Sequence, residues 1–283
     1  MKHERVFFQE PDAYLDTYFL DFSESMPNSV CRPLVLICPG GGYRMTSDRE
    51  AEPIALSFAA RGFHAAVLRY PVAPARFPVA LCALAKAVAY LRAHAEANHI
   101  DPDRIAVSGY SAGGHLAASL GVFWNCDWLE RQVGSSREGF RPNCLLLGYP
   151  VITSGEFAHA ESFERLLGMT PEPTRLEEVS LENHISSNVP PTFLWHTYTD
   201  ELVPVENSLL FAQGLRKVGV EFELHIYSTG EHGLSLANDI TMDRDGNRVC
   251  QACTGWIDLA CAWLWRVFDN SQNAKVYERK NNV

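Results

Sequence analysis

Apolar residues follow two alternating patterns along this chain. Short continuous apolar runs, typical of strands buried on both faces of a mostly parallel sheet, occupy residues 33–38, 63–70, 104–107, 145–152 and 192–196. Between them lie longer segments with apolar residues at helical spacing, at residues 47–60, 79–98, 207–218 and 257–268. This alternation predicts an α/β fold, with a mostly parallel central sheet and helices on both of its faces.

The two ends of the chain differ from this pattern. Residues 16–22 and 221–227 alternate polar and apolar side chains, which predicts strands with one exposed face. With these two included, we expect a sheet of about eight strands. Residues 1–15 are expected to form an extended arm, and residues 269–283 a polar tail.

Two segments interrupt the alternation of strand and helix. Residues 123–141 are interpreted as a polar loop, and residues 153–189 as a Pro-rich, acidic insertion with a short helical piece at 162–167. The second segment is either a cap or lid at the carboxyl edge of the sheet, where α/β proteins build their sites, or a passive surface insertion. No repeat or linker divides the chain, so we expect residues 1–283 to form a single domain.

Gly109-Tyr110-Ser111-Ala112-Gly113 lies between a predicted strand and a helix-like run. A strand, a tight turn flanked by glycines and a helix form a nucleophile elbow, which exposes the serine hydroxyl at a helix N-terminus. The motif alone also arises by chance. Ser111 is therefore a candidate nucleophile that needs a base and an acid elsewhere in the chain.

Asp200 and His232 follow Ser111 in the order that such sites require, which is serine, acid, histidine. Asp200 comes just after the strand predicted at 192–196, where an aspartate is otherwise a turn former or a helix cap. Glu201 is its nearest rival. His232 lies in a glycine-flanked loop after the strand at 221–227, and is the candidate base. The other histidines, including His115, His196 and His225, are expected to be structural, with His196 able to support the site.

Pro39-Gly40-Gly41-Gly42-Tyr43 follows the predicted strand at 33–38. A flexible loop is one interpretation, and a phosphate cradle is disfavoured because no Gly-Lys-Ser/Thr follows. The position favours an oxyanion loop, in which backbone N–H groups of Gly41 and Gly42 join that of Ala112 in binding a developing negative charge. Tyr43 and Tyr110, beside these elements, are expected to contact the substrate.

Composition and charge narrow the function classes. The net charge of −10 argues against a nucleic acid or an anionic membrane as partner. Charged and polar residues follow Met1, with no apolar signal-peptide core, and no stretch approaches the ~20 apolar residues of a membrane span. A cytoplasmic location is therefore expected. Cys250-x-x-Cys253 lacks the further ligands of a zinc site, so neither a metal nor a cofactor is expected.

The motifs together resemble the acetyl-esterase branch of the α/β-hydrolases. This branch is described as xylan esterase-like or carbohydrate acetyl esterase, and is related to hormone-sensitive-lipase-type esterases. The resemblance spans roughly residues 30–268, and its motifs lie at residues 39–43, 47–53, 101–105, 109–117, 195–204 and 231–234. Pro39 stands where the lipase-type enzymes have a histidine. The resemblance implies an α/β-hydrolase fold and deacetylation of sugar esters.

We therefore expect a serine carboxylesterase that hydrolyses short acyl esters, chiefly acetyl esters of oligosaccharides. Ser111 would attack the ester, His232 would act as base and then acid, and Asp200 would orient His232. A small amidase or formamidase, or a peptidase, on the same triad is an alternative. A non-catalytic ligand-binding protein of the same fold is an alternative of another class. The sequence leaves the sugar and the oligomeric state open.

Overall fold

The computed structural model describes the backbone of residues 1–8 and 12–281, and the side chains of these residues as far as Asp269. Eight strands in this part of the chain form one sheet. Their bounds are Lys2–Phe7 (β1), Tyr14–Phe19 (β2), Arg32–Cys38 (β3), His64–Arg69 (β4), Ile100–Tyr110 (β5), Cys144–Gly148 (β6), Thr192–Thr197 (β7) and Phe222–Tyr227 (β8).

The topology of the sheet gathers four loops at one edge. The strand order is β1-β2-β4-β3-β5-β6-β7-β8. Strand β2 is antiparallel to both of its neighbours, and the strands from β4 across to β8 are parallel. Because the carboxyl ends of parallel strands meet at the same edge, the loops that follow β3, β5, β7 and β8 lie together there.

Helices cover both faces of the sheet. They are Glu52–Ala59 (α1), Val79–Ala93 (α2), Ala112–Phe123 (α3), Asp127–Val133 (α4), Arg137–Phe140 (α5), Ala160–Leu167 (α6), Pro173–Glu178 (α7), Glu206–Val218 (α8) and Trp256–Asn281 (α9). Helices α2, α3 and α8 contribute to one apolar core, and α1 and α9 to the other. None of the helices within residues 1–8 and 12–281 is long and apolar enough to cross a membrane.

Strand β3 shows why the central strands are apolar at every position. Leu34 and Leu36 belong to the core under α2, α3 and α8, whereas Val35 and Ile37 belong to the core under α1 and α9. All four side chains are inaccessible to solvent. Successive side chains of a strand point to opposite faces, so a strand covered on both sides must be apolar throughout.

The structure confirms the predicted α/β fold and corrects several of its elements. Residues 2–7 of the predicted extended arm form strand β1, which pairs antiparallel with β2. The segment 123–141, predicted as a polar loop, contains α4 and α5, and Leu129 of α4 is buried. The closing helix, predicted at 257–268, continues to Asn281 through most of the predicted polar tail, of which residues 282–283 lie outside the described residues.

The insertion at 153–189 lies against the glycine loop that follows β3. It contains α6 and α7. In α6, Arg165 Nη1 donates to the carbonyl of Gly42 at 3.4 Å, and the Leu166 carbonyl accepts from the N–H of Phe77 at 2.8 Å. The segment therefore borders the carboxyl edge of the sheet, as a cap would. That residues 1–283 form a single domain stays a prediction.

Candidate active site

Ser111 occupies the sharp turn between β5 and α3. Its φ of 55° and ψ of −123° lie outside the regions that L-residues ordinarily adopt, a strain of about 1–3 kcal/mol that the surrounding structure must hold in place. Two glycines make the turn possible. A Cβ on Gly109 would lie 2.1 Å from the Gly113 carbonyl oxygen, and one on Gly113 would lie 2.1 Å from that of Cys38. The predicted strand, turn and helix are thus present.

Ser111, His232 and Asp200 meet at the carboxyl edge of the sheet. His232 Nε2 lies 2.7 Å from Ser111 Oγ, and His232 Nδ1 lies 2.6 Å from Asp200 Oδ2. Because an ionised carboxylate can only accept, Nδ1 carries the imidazole hydrogen and donates it to Asp200. The lone pair on Nε2 then accepts the hydrogen bond from the Ser111 hydroxyl. This arrangement has the geometry of a base held ready to remove the hydroxyl proton.

Asp200 is completely buried just beyond the end of β7. The backbone N–H groups of Leu202 and Val203 donate to its Oδ1 at 3.0 and 2.9 Å, and His196 Nε2 lies 3.4 Å from its Oδ2. Burial alone would raise the pKa of Asp200, but the hydrogen bonds from His196 and His232 outweigh it and hold this pKa well below its ordinary value. The carboxylate is therefore ionised whenever the protein is folded near neutral pH.

The glycine loop presents unpaired backbone donors beside Ser111. Gly41 and Gly42 have φ values of 129° and 61°, and both line the pocket that contains Ser111. Within the described part of the chain, neither of their N–H groups donates to a protein acceptor. Ala112 is the first residue of α3, so its N–H has no acceptor within the helix. The loop and the helix start thus offer the type of donors that an oxyanion hole needs.

Glu50 connects the glycine loop to the histidine loop. This side chain is buried, and its Oε2 accepts from the Gly40 N–H at 2.8 Å while its Oε1 accepts from the Tyr149 hydroxyl at 2.6 Å. The Tyr149 hydroxyl in turn accepts from the N–H of Ser235, three residues beyond His232, at 2.9 Å. Burial and the charge of Glu50 raise the pKa of Tyr149 well above its ordinary value, so the phenol remains a donor to Glu50.

The structure corrects the roles expected for Tyr43 and Tyr110. Both side chains are buried in the cores rather than exposed in the pocket. The Tyr43 hydroxyl lies 2.8 Å from Nδ1 of the buried His115, and the Tyr110 hydroxyl accepts from Ser108 Oγ at 3.1 Å. Neither tyrosine side chain is therefore placed to contact a substrate. Their proximity to the motifs in the sequence reflects packing beneath the site.

The remaining candidates take structural positions. His196 is fully buried, with Nε2 donating to the Val203 carbonyl at 2.9 Å and Nδ1 lying 2.8 Å from Ser208 Oγ. It thereby braces the segment that carries Asp200. His225 lies on β8 beside Glu223, and Glu201, the rival acid, is exposed and forms no hydrogen bond or ion pair with His232 among the described residues.

A pocket of about 380 Å³ opens onto Ser111 and His232. The glycine loop, the 49–50 turn and the start of α6 form its walls, and α6 contributes Glu161 and Arg165 while His159 precedes it. Met45 and Leu202 are the apolar side chains in this lining, and its other residues, apart from glycine, are polar or charged. A small polar pocket suits a short acyl group and a hydrophilic alcohol.

The sheet topology and the Ser111–His232–Asp200 arrangement together define a serine hydrolase of the α/β-hydrolase class. Residues 20–215 match the model of the BD-FAE family, and the chain belongs to that family. Its relatives place it among the carboxylic ester hydrolases.

Three comparisons illustrate the relationship. The crystal structure of an acetyl ester-xyloside bifunctional hydrolase from Caldicellulosiruptor lactoaceticus is 41% identical and superposes with a TM-score of 0.78 over 90% of this chain and 88% of that one. Endo-1,4-beta-xylanase B of Butyrivibrio fibrisolvens is 38% identical over 75% of this chain and 34% of that protein. An acetylxylan esterase of Xylanibacter ruminicola is 27% identical over 75% of this chain and 43% of that protein. This chain thus spans less than half the length of either of those two enzymes.

Proposed function

We propose that this protein hydrolyses acetyl esters of oligosaccharides, with Ser111 as nucleophile, His232 as general base and acid, and Asp200 as the group that orients His232. The observation that carries the proposal is the continuous hydrogen-bonded path from Ser111 Oγ through His232 to the buried carboxylate of Asp200. The names of the relatives, which include an acetylxylan esterase and an acetyl ester-xyloside hydrolase, support acetylated xylan fragments as the substrate class.

The reaction follows from the positions of the groups. Ser111 Oγ attacks the ester carbonyl carbon while His232 Nε2 accepts its proton, and the negative charge on the carbonyl oxygen is bound by N–H groups of Ala112 and of Gly41 or Gly42. His232 then returns the proton to the departing alcohol, which leaves an acyl-enzyme. Water, deprotonated by the same Nε2, releases the acid and restores Ser111. Asp200 holds the tautomer and stabilises the imidazolium throughout.

Ser111→Ala tests the nucleophile. We expect this variant to retain the fold and to lose p-nitrophenyl acetate hydrolysis by several decades, because removing one member of a triad leaves only binding and the oxyanion donors. Ser119→Ala is the matched control, since Ser119 is a buried serine on α3, the helix that follows Ser111, and its hydroxyl donates to the His115 carbonyl. Activity of Ser111→Ala within about tenfold of the parent would exclude the assignment.

A second measurement tests the substrate class. Acetate release from acetylated xylo-oligosaccharides is compared with hydrolysis of p-nitrophenyl acetate and p-nitrophenyl octanoate. We expect the octanoate to be the poorest substrate, since the pocket is small and mostly polar. A preference for the octanoate, or no acetate release from the oligosaccharides, would contradict the proposed substrate while leaving the esterase mechanism in place.

A further inference from the structure

Positive charge is concentrated in the wall of the pocket that contains Ser111. Arg44, Arg49, Arg165 and Arg248 all line it, in a protein whose net formal charge is −10. Such local fields raise the concentration of oppositely charged ligands at a cleft even when the rest of the surface repels them. The acidic groups around the pocket decide how much of this charge remains unpaired.

Two of the four arginines have carboxylate partners. Arg165 is ion-paired with Glu161 at 2.5 Å, and Arg248 lies 3.4 Å from Glu231 and 3.7 Å from Asp243. These side chains are partly exposed, so solvent screens each pair and weakens it. The remaining acidic group in the lining is Glu50, whose two oxygens are bound to Gly40 and Tyr149 behind the glycine loop.

Arg44 and Arg49 have no ion-pair partner in the part of the chain that the structure describes. Arg44 is exposed at the pocket rim, directly after the glycine loop. Arg49 uses Nε and Nη1 on the backbone carbonyls of Thr241 and Gly233, at 2.6 and 2.9 Å, and its buried Nη2 has no hydrogen-bond partner among the described residues. The pocket wall thus carries cationic donors that a carboxylate could satisfy.

The position of Arg49 and Arg248 shows which part of an ester they would face. Arg49 donates to the carbonyl of Gly233, the residue after His232, and Arg248 Nη1 would lie 3.7 Å from a Cβ on Gly233. His232 gives its proton to the departing alcohol, so the alcohol leaves on the histidine side of the serine. Arg165, by contrast, contacts Gly42 on the glycine-loop side.

From this geometry we infer that the preferred substrate carries a carboxylate on its alcohol portion, as an acetylated oligosaccharide bearing a uronic acid does. The inference rests on the proposed function, because it identifies the leaving group by the role of His232. Arg248 binds the carboxylate, Arg44 and Arg49 add positive charge to the pocket wall, and the acetyl group occupies the small space beside Ser111 and the glycine loop.

Paired esters that differ in one charge test the inference. The kcat/KM for 4-acetoxybenzoate is compared with that for its methyl ester, and each value is divided by the rate of hydroxide-catalysed hydrolysis of the same ester to remove leaving-group effects. We expect a preference for the carboxylate of about tenfold at low ionic strength, falling markedly at about 0.5 M sodium chloride. An acetylated xylo-oligosaccharide with a glucuronic acid branch should likewise lose acetate faster than the neutral oligosaccharide.

Arginine variants locate the effect. Arg44→Gln and Arg248→Gln should each lower the ratio between the two benzoate esters toward one, and their combination should lower it further. A ratio within one variant is insensitive to the fraction of folded enzyme. Arg61→Gln is the control, because Arg61 pairs with Asp258 away from the pocket, and should keep the parental ratio. A parental ratio near or below one, or a ratio unchanged in both pocket variants, would overturn the inference.

Two further outcomes are distinguished. If 4-nitrophenyl hydrogen adipate is preferred over 4-nitrophenyl hexanoate while the benzoate esters react equally, the carboxylate belongs on the acyl side and the inference is wrong. If neither benzoate ester is hydrolysed and a fluorophosphonate probe fails to label Ser111, the proposed function fails and the inference fails with it. Equal hydrolysis of both benzoate esters overturns the inference alone.

Discussion

Glu50 shows how one buried carboxylate can hold two loops of the site. Its oxygens accept from Gly40 in the glycine loop and from Tyr149, which is hydrogen-bonded to the backbone beyond His232. The glycine loop and the histidine loop are therefore held relative to each other through Glu50 and Tyr149. A displacement of either loop would misplace groups whose effect depends on sub-ångström positioning.

Replacing Glu50 with glutamine should lower kcat for acetyl esters by about tenfold or more, short of the ~10²–10³ lost when an oxyanion donor is removed outright. The amide can still accept from Gly40, but its NH₂ group then faces the Tyr149 hydroxyl, whose hydrogen loses its acceptor. Because the acyl pocket is not altered, KM should change less than kcat. Steady-state kinetics on p-nitrophenyl acetate measure both constants.

The matched control is Glu52→Gln, the same substitution two residues further on at an exposed position. This control should retain parental kinetics. Equal kcat values for the two variants would show that Glu50 does not position the oxyanion loop.

Individual residues differ in how far the sequence identifies them. Ser111, Asp200 and His232 could be identified as a catalytic triad from the sequence, because each follows a predicted strand and they occur in the order serine, acid, histidine. Glu50 and Tyr149 could not, since their contact joins positions 99 residues apart and neither carries a local motif. Tyr43 and Tyr110 lie beside the site in sequence, but the direction of a side chain depends on the strand register and on packing, which sequence proximity does not specify.

Among the elements, the elbow depends on the close approach of α3 to the end of β3. A Cβ on Gly113 would lie 2.1 Å from the Cys38 carbonyl oxygen and 2.4 Å from that of Pro39. Because Gly113 has no side chain, the first turn of α3 can pack against the backbone at the end of β3, which leads into the glycine loop. The nucleophile and the oxyanion donors are thus brought together by backbone contact.

Gly113→Ala should therefore destabilise the protein by about 3 kcal/mol or more, because both neighbours of the new methyl group are backbone atoms that cannot move aside. Urea unfolding measures the free energy of unfolding, and loss of soluble protein would be the extreme form of the same result. Gly255→Ala is the control. Gly255 is exposed with open space around its Cβ position, and this change should stay within about 1 kcal/mol. Similar stabilities for the two variants would refute the steric account.

The predicted elements were those with strong periodicity. The central strands and helices α1, α2, α8 and α9 bury a continuous run or a helical stripe, and such patterns are visible in the sequence. Strand β1 was missed because it is an exposed edge strand, whose pairing with β2 depends on a partner rather than on its own composition. Helices α4 and α5 are too short to show a helical period in the sequence. Short helices are marginal in isolation, so these two form because tertiary contacts stabilise them.

At the scale of the whole molecule, burial lowers the pKa of two histidines, His64 and His115. His115 lies in the core under α2, α3 and α8, between the Tyr43 hydroxyl and the Val179 carbonyl, to which its Nε2 donates at 2.9 Å. Burial lowers the pKa of His115 to about 4, against a smaller opposing effect of the hydrogen bond to Val179. Burial likewise lowers the pKa of His64 to about 4. Both imidazoles are neutral in the folded protein near neutral pH.

The consequence is a loss of stability in mild acid. Between the ordinary pKa of about 6.5 and the folded value, the unfolded chain binds a proton that the folded protein excludes, so the free energy of unfolding falls as pH falls through this window. At about pH 5 the loss amounts to about 2 kcal/mol for each such histidine. In His115→Gln the amide can reproduce both hydrogen bonds but does not titrate. This variant should therefore not show the loss of unfolding free energy that His115 causes in mild acid.

Urea unfolding at about pH 7.5 and about pH 5 gives, for each protein, the free energy of unfolding that is lost between the two pH values. His115→Gln should lose about 2 kcal/mol less than the parent between these two conditions, whatever its stability at the higher pH, because only its titration has been removed. His94→Gln, at an exposed position on the end of α2, should keep the parental difference. If His115→Gln and the parent lose equal stability, the acid sensitivity comes from other groups, and His115 takes up its proton within the folded core.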